Sequence, residues 1–277
     1  MKTGEMRYRN QLLIARILAG RYSLELEVSS NVSTAMTDGK KLIYPAQWML
    51  TEDDDMAVVM DGIIDHEAAG HGRHTDFTVR QSSKPIVRRL ANIFEDVSCE
   101  LAAGDKWPGI TVNLARTVTV LARWGLFGSV ASAGRAGQSP GALLCNAMLV
   151  NCRARFLPGQ ADALSDIAAV AWLAAHDMFG PVWDKAWTLA TAAPQLTSTR
   201  DASALAEAVF SLLDLPEPEG KEPSAGGSTP VSGEDPGEQG AGRSSRTHPA
   251  SPIQATLVIR RMRVTEKLRR SRRNPRL

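Results

Sequence analysis

The sequence predicts a mostly α-helical fold with a small β-hairpin near the N-terminus, an α+β domain followed by a disordered tail. Three observations predict it. Through most of residues 1–214 apolar side chains recur three and four positions apart, the period of helices that bury one face. Alternation with a period of two, the mark of a half-buried strand, is convincing only between 22 and 44. From Leu215 onward aliphatic residues thin out, and a segment that cannot bury apolar area cannot offset its ordering entropy.

Taken in order, residues 6–19 place Leu12, Leu13, Ala15, Ile17 and Leu18 at helical spacing, with Gly20 as the stop. "YSLELEVS" then alternates Leu24, Leu26 and Val28 with Glu25 and Glu27, and an Asp38-Gly39 turn leads to a second short strand ended by Pro45. Thr51 is a candidate N-cap for a helix over about 52–72, whose first-turn acids suit the positive end of the helix dipole. Pro85 opens the next helix; Ile86, Leu90, Ile93, Phe94, Val97 and Leu101 form its apolar face, and Gly104 is its expected end. Further helical patterns run over 109–124, 141–155, 161–178, 181–192 and 201–214.

The chain divides into a folded unit over 1–214, a Pro/Gly/Ser/Glu-rich linker over 215–250 and a basic tail over 251–277. The tail holds eight Arg and one Lys against Glu266, but without interleaved aromatics it argues against nucleic-acid binding and reads as a truncated remnant. A formal net charge of +2 says little about partners by itself, because the average hides this tail. Cys99, Cys145 and Cys152 lack metal-ribbon or redox spacing, which suits reduced thiols and a cytoplasmic location. Arg16 interrupts the N-terminal apolar patch, which excludes a signal peptide or membrane span there.

The chemistry gathers in "DHEAAGHGRHTDF", Asp65 to Phe77, which holds three of the five histidines. A hydrolytic zinc site needs three imidazole or carboxylate ligands, an open position for water and a base beside it. On an ideal α-helix residues four apart diverge by about 40° but residues five apart by about 140°. His66 and His71 therefore share an ion only if a π-type bulge absorbs one residue, and Gly70 is the position expected to tolerate it. Glu67 then follows the first ligand directly, where a water-activating base belongs. A bulge-free alternative joins Glu67, His71 and His74, at the expense of that base. "NIFEDVSCE" on the next helix offers Glu95 as the third ligand, with Asp96 or Glu100 holding a ligand imidazole by its second nitrogen and His74 as a further outer donor.

The pair "HEAAGH" and "EDVSCE" resembles gluzincins, and more closely the H-E-x-x-G-H variant of the dipeptidyl peptidase III type. Over residues 1 to about 250, "DGIIDHEAAGHGRHTDF", "LANIFEDVSCE" and the following linker are similar to the N-terminal part of CobT-like proteins, the cobaltochelatase-subunit type. The resemblance implies a gluzincin-like, zinc-binding metallopeptidase domain in which a metal-activated water attacks a peptide bond. The alternative it implies is a non-catalytic assembly subunit that works with an AAA+ ATPase or a von Willebrand factor A-containing subunit. That family continues into a domain with a D-x-S-x-S motif, and this chain departs from it: "DASAL" at Asp201 lacks the second serine.

Overall fold

The computed structural model describes residues 3–32, 35–49, 53–128 and 138–213; the expected linker, the basic tail and Thr51 lie outside them. The fold is mostly helical, with one three-stranded sheet near the N-terminus. Helix α1 spans Thr3–Ala19 and ends at Gly20, whose φ of +64° is left-handed. Gly20 N–H donates to the Ile17 carbonyl and Arg21 N–H to the Arg16 carbonyl, the paired bonds of a Schellman stop.

Strands β1 (Glu25–Ser29), β2 (Met36–Thr37) and β3 (Lys41–Pro45) form the sheet in the order β1-β3-β2. The hairpin expected between "YSLELEVS" and the strand ended by Pro45 does not form; the Asp38-Gly39 turn instead joins β2 and β3 as the antiparallel pair. The alternating "YSLELEVS" stretch joins it as a parallel strand, Leu26 level with Leu42 and Val28 with Tyr44. Alternation states which face a strand buries; it carries no direction, so the pairing was not legible.

After a short turn of helix, α2 (Ala46–Met49), helix α3 runs Asp54–Ile64 and is capped by Asp53, which accepts from Asp55 and Met56 N–H. The cap therefore lies two residues beyond Thr51. The helix continues as a π turn over Asp65–His71 and a last α turn, α4, over Gly72–His74. Helix α5 runs Pro85–Lys106, past the expected stop at Gly104. A Cβ at Gly104 would collide with Thr111 of α6 (Pro108–Arg123), so this glycine serves a helix crossing and not a helix end. Helices α7 (Pro140–Phe156), α8 (Ala161–Phe179), α9 (Pro181–Ala190) and α10 (Thr199–Leu212) complete the described chain. Four of these helices, α5, α6, α7 and α9, begin with Pro in the first turn, where its missing N–H goes unused.

Two apolar clusters result. One joins α1, the sheet, α3 and α6 around Tyr44, Met60 and Ile64. The other joins α5 with α7 to α10 around Phe94, Met148 and Trp183, with Trp172 and Trp187 packed against Trp183. The π turn and the middle of α5 lie where the two clusters meet. No helix among the described residues is long and apolar enough to cross a membrane.

Candidate metal centre

A π turn is defined by bonds from residue i+5 back to i, which stack side chains five apart one above the other. Gly72 N–H donates to the Glu67 carbonyl in that pattern. The His66 and His71 rings consequently face one another edge to face, with centroids 4.8 Å apart. The extra residue of "HEAAGH" is thus absorbed as its spacing predicted. Gly70, however, is not what makes it possible: its φ is not left-handed, and a Cβ there would sit 3.6 Å from Cys99 Cβ, an ordinary contact. Buried Ala68 and Ala69 let the turn lie close to its neighbours, and a Cβ on Gly72 would press on the Glu67 carbonyl and on Ala19 of α1.

The acid that joins the two imidazoles is Asp96, where the sequence reading had Glu95. Asp96 Oδ1 lies 3.1 Å from His71 Nε2 and 3.8 Å from His66 Nε2. One ligand atom from each of His66, His71 and Asp96 falls within 4.8 Å of the others, so the three could hold a metal ion. Helical geometry explains the exchange. Residues 92, 96 and 100 share one face of α5, turned to the π helix, whereas position 95 is rotated by about 100°. Glu95 reaches instead toward α10, where its Oε1 accepts from Thr199 Oγ1 at 2.5 Å.

Glu100 takes the outer role expected of it. Its Oε1 lies 3.0 Å from His66 Nδ1, and Thr75 Oγ1 lies 2.8 Å from His71 Nδ1. Each imidazole is therefore held by its Nδ1, leaving Nε2 toward Asp96, the orientation that outer hydrogen bonds impose on ligand histidines. His74 stands apart: it is exposed, outside the cluster, and its pKa is lowered by partial burial and by Arg73 and Lys106. The bulge-free set of Glu67, His71 and His74 is not assembled.

Glu67 is buried beside this group, and its Oε2 has no hydrogen-bond partner among the described residues. Burial raises its pKa, against His66, His71 and the backbone N–H of Thr37 in β2, which lower it. The hairpin thus touches the site at its edge strand. Burial works against charge on His71, yet the bond to Asp96 and the nearby Asp96, Glu67 and Glu95 carboxylates raise its pKa to about 9. His66 is raised too, despite burial, by Asp96 and Glu100. Burial opposes ionisation of Glu100, but Arg153 and His66 overcome it and bring its pKa to about 2. Asp96 is likewise lowered against its burial by His66, His71 and Arg153.

Two imidazole nitrogens and a carboxylate oxygen, with His71 and Asp96 buried, His66 half-buried and both rings oriented from behind, are a donor set that suits zinc. Sequence reasoning missed Thr75, Asn92, Arg153 and Gln160. Arg153 alone left a trace, as the first charged residue of α7 after thirteen uncharged helical positions, Leu, Cys, Ala, Met and Val among them. No family model matches the chain, and neither a curated protein nor a solved structure is significantly similar to it.

Proposed function

We propose that this chain holds a zinc ion on His66, His71 and Asp96 and hydrolyses peptide bonds. The observation that carries the reading is Glu67 Oε2, a buried carboxylate oxygen without a partner among the described residues, beside three convergent ligand atoms. Leaving such an atom unpaired costs roughly 1–3 kcal/mol or more, a penalty that a water or substrate group at the site would relieve. When bound, zinc supplies Lewis acidity, acidifying a water molecule and polarising a carbonyl. Glu67 is the base that accepts the proton of the attacking water, and the burial that raises its pKa makes it a better proton acceptor. Glu100 and Thr75 fix the imidazoles, and the β2 backbone closes the site on the sheet side. The resemblance to gluzincins and CobT-like proteins supports zinc as the ion and a peptide as the substrate. Three reduced, buried cysteines support a cytoplasmic setting.

A second reading, a non-catalytic CobT-like subunit docking on an AAA+ ATPase or a von Willebrand factor A-containing partner, draws on the seclusion of the site. His71, Asp96 and Glu67 are buried, and only the His66 side chain, 20% exposed, opens toward solvent. The test is metal analysis of the purified protein combined with hydrolysis of a quenched-fluorescent peptide library. The expected result is about one zinc per chain, lost in His71→Ala, and hydrolysis abolished in Glu67→Gln with zinc retained. Zinc binding without hydrolysis by the wild type would favour the subunit; absence of zinc would end both metal readings.

A further inference from the structure

Arg153 enters the centre from a third element. It lies in α7, with its side chain 10% exposed, and its guanidinium reaches across to α5. Nη2 donates to Glu100 Oε1 at 2.8 Å and to Asp96 Oδ2 at 3.4 Å. Nη1 donates to Glu100 Oε2 at 3.3 Å and to Gln160 Oε1 at 3.2 Å, and Gln160 Nε2 donates to Glu100 Oε2 at 3.1 Å. Phe127 covers the guanidinium, whose carbon is 6.0 Å from the ring centre.

The distribution of these bonds matters more than their number. A staple between α5 and α7 needs one carboxylate, and buried ion pairs contribute little net stability because both ions lose their hydration. Arg153 instead spans two acids with different tasks: Asp96, a candidate ligand, and Glu100, which holds the other candidate ligand His66. It engages the Asp96 oxygen that faces away from the histidines and leaves Oδ1 toward them, where Asn92 Nδ2 steadies it from 3.3 Å. It also fixes Glu100, and through it the rotation of the His66 ring. One planar cation thus sets the orientation of two donors at once, which a point charge such as an ammonium would do less well.

We infer that Arg153 is a positioning residue for a divalent cation bound by His66, His71 and Asp96, acting through Asp96 and Glu100 without touching the ion. This rests on the metal reading above. The test titrates metal-free full-length protein with zinc in competition with a chromophoric chelator, and records the visible spectrum of the cobalt(II)-substituted protein. Arg153→Met should weaken zinc binding about 10- to 100-fold, the usual range for outer-shell losses, and alter the cobalt band shape. Arg153→Lys should recover part of the affinity, since it restores charge without the fork. If Arg153→Met does not fold, Arg153→Lys decides alone: an affinity loss of at least about threefold supports the inference. Unchanged zinc affinity and an unchanged cobalt spectrum in a folded Arg153 variant, even one of lower thermal stability, would overturn it and leave the metal site standing. Wild type that binds no zinc fails at the first titration and takes the metal reading down with it.

Discussion

Asp96 and Glu95 are adjacent in the chain and both buried, yet their carboxylates serve different helices. Spacing arguments could select the acidic group "EDVSCE" but not decide which acid faces the histidines, because that depends on the rotation of α5 about its axis. That rotation is set by tertiary packing, in which α5 gives Ile86, Leu90, Ile93, Phe94 and Val97 to one cluster and Ala103 to the other. Metal analysis of two variants separates the acids: Asp96→Ala should lose zinc, while Glu95→Ala should keep it and lose only the bond to Thr199. The opposite pattern would return Glu95 to the ligand set. A second residue-scale prediction concerns the thiols. Burial pushes Cys152 up from an ordinary 9.0 to about 12, against the pull of Arg153. The native protein therefore holds almost no Cys152 thiolate at neutral pH, and thiolate is the reactive form. Ellman's reagent should find Cys152 unreactive until denaturant is added. The sign for stability follows: the folded state binds this proton more tightly, so its contribution is full below about pH 9 and is lost as pH rises toward about 12. Labelling of Cys152 in the native protein at pH 7 would contradict its place in the core.

The π turn is an element-scale feature that the sequence did disclose, because two histidines five apart are useful together on no regular α-helix. The same scale shows where reading a sequence stops. The parallel partnership of β1 with β3 is a choice of direction that the alternation of neither strand encodes. Glycines were similarly ambiguous: Gly70 was the position expected to tolerate the bulge and Gly104 the expected helix end, whereas the tightest glycine on the helix that leads into the π turn is Gly62. It sits where α3 crosses α6, and a Cβ there would overlap Thr117, whose hydroxyl donates to the Val58 carbonyl at 3.0 Å. Gly62→Ala should therefore cost about 1–3 kcal/mol as an overpacked crossing. Gly70→Ala has room and a helical backbone, so it should be neutral or stabilise by up to about 1 kcal/mol. Urea unfolding of the two variants compares them directly. Equal destabilisation would mean that the bulge needs its glycine after all.

At the scale of the whole molecule the centre draws on both apolar clusters. His66, Glu67 and His71 come from the helix of the N-terminal cluster; Asp96 and Glu100 lie on α5, and Arg153 and Gln160 arrive from the side of α7. Thr75, beside the π turn, begins a loop that returns to α10, where Asp76 N–H donates to Thr199 Oγ1 and Ser82 Oγ to Glu207. Neither cluster can unfold while the ligand set stays intact, so an ion held there acts on the folded body as a unit. A ligand that binds only the native state stabilises it by RT ln(1 + [L]/Kd), about 2.7 kcal/mol at a hundredfold excess over Kd. For a body of this size each kcal/mol moves the midpoint by roughly 2–4 °C, which makes the expected gain roughly 5–10 °C. Thermal melts of the metal-free protein with and without zinc should show that rise in one cooperative transition, reversed by a chelator and absent in Asp96→Ala. If zinc raised only part of a split transition, the ion would be binding within one cluster, and the bridge through α5 and Arg153 would not be what links the two.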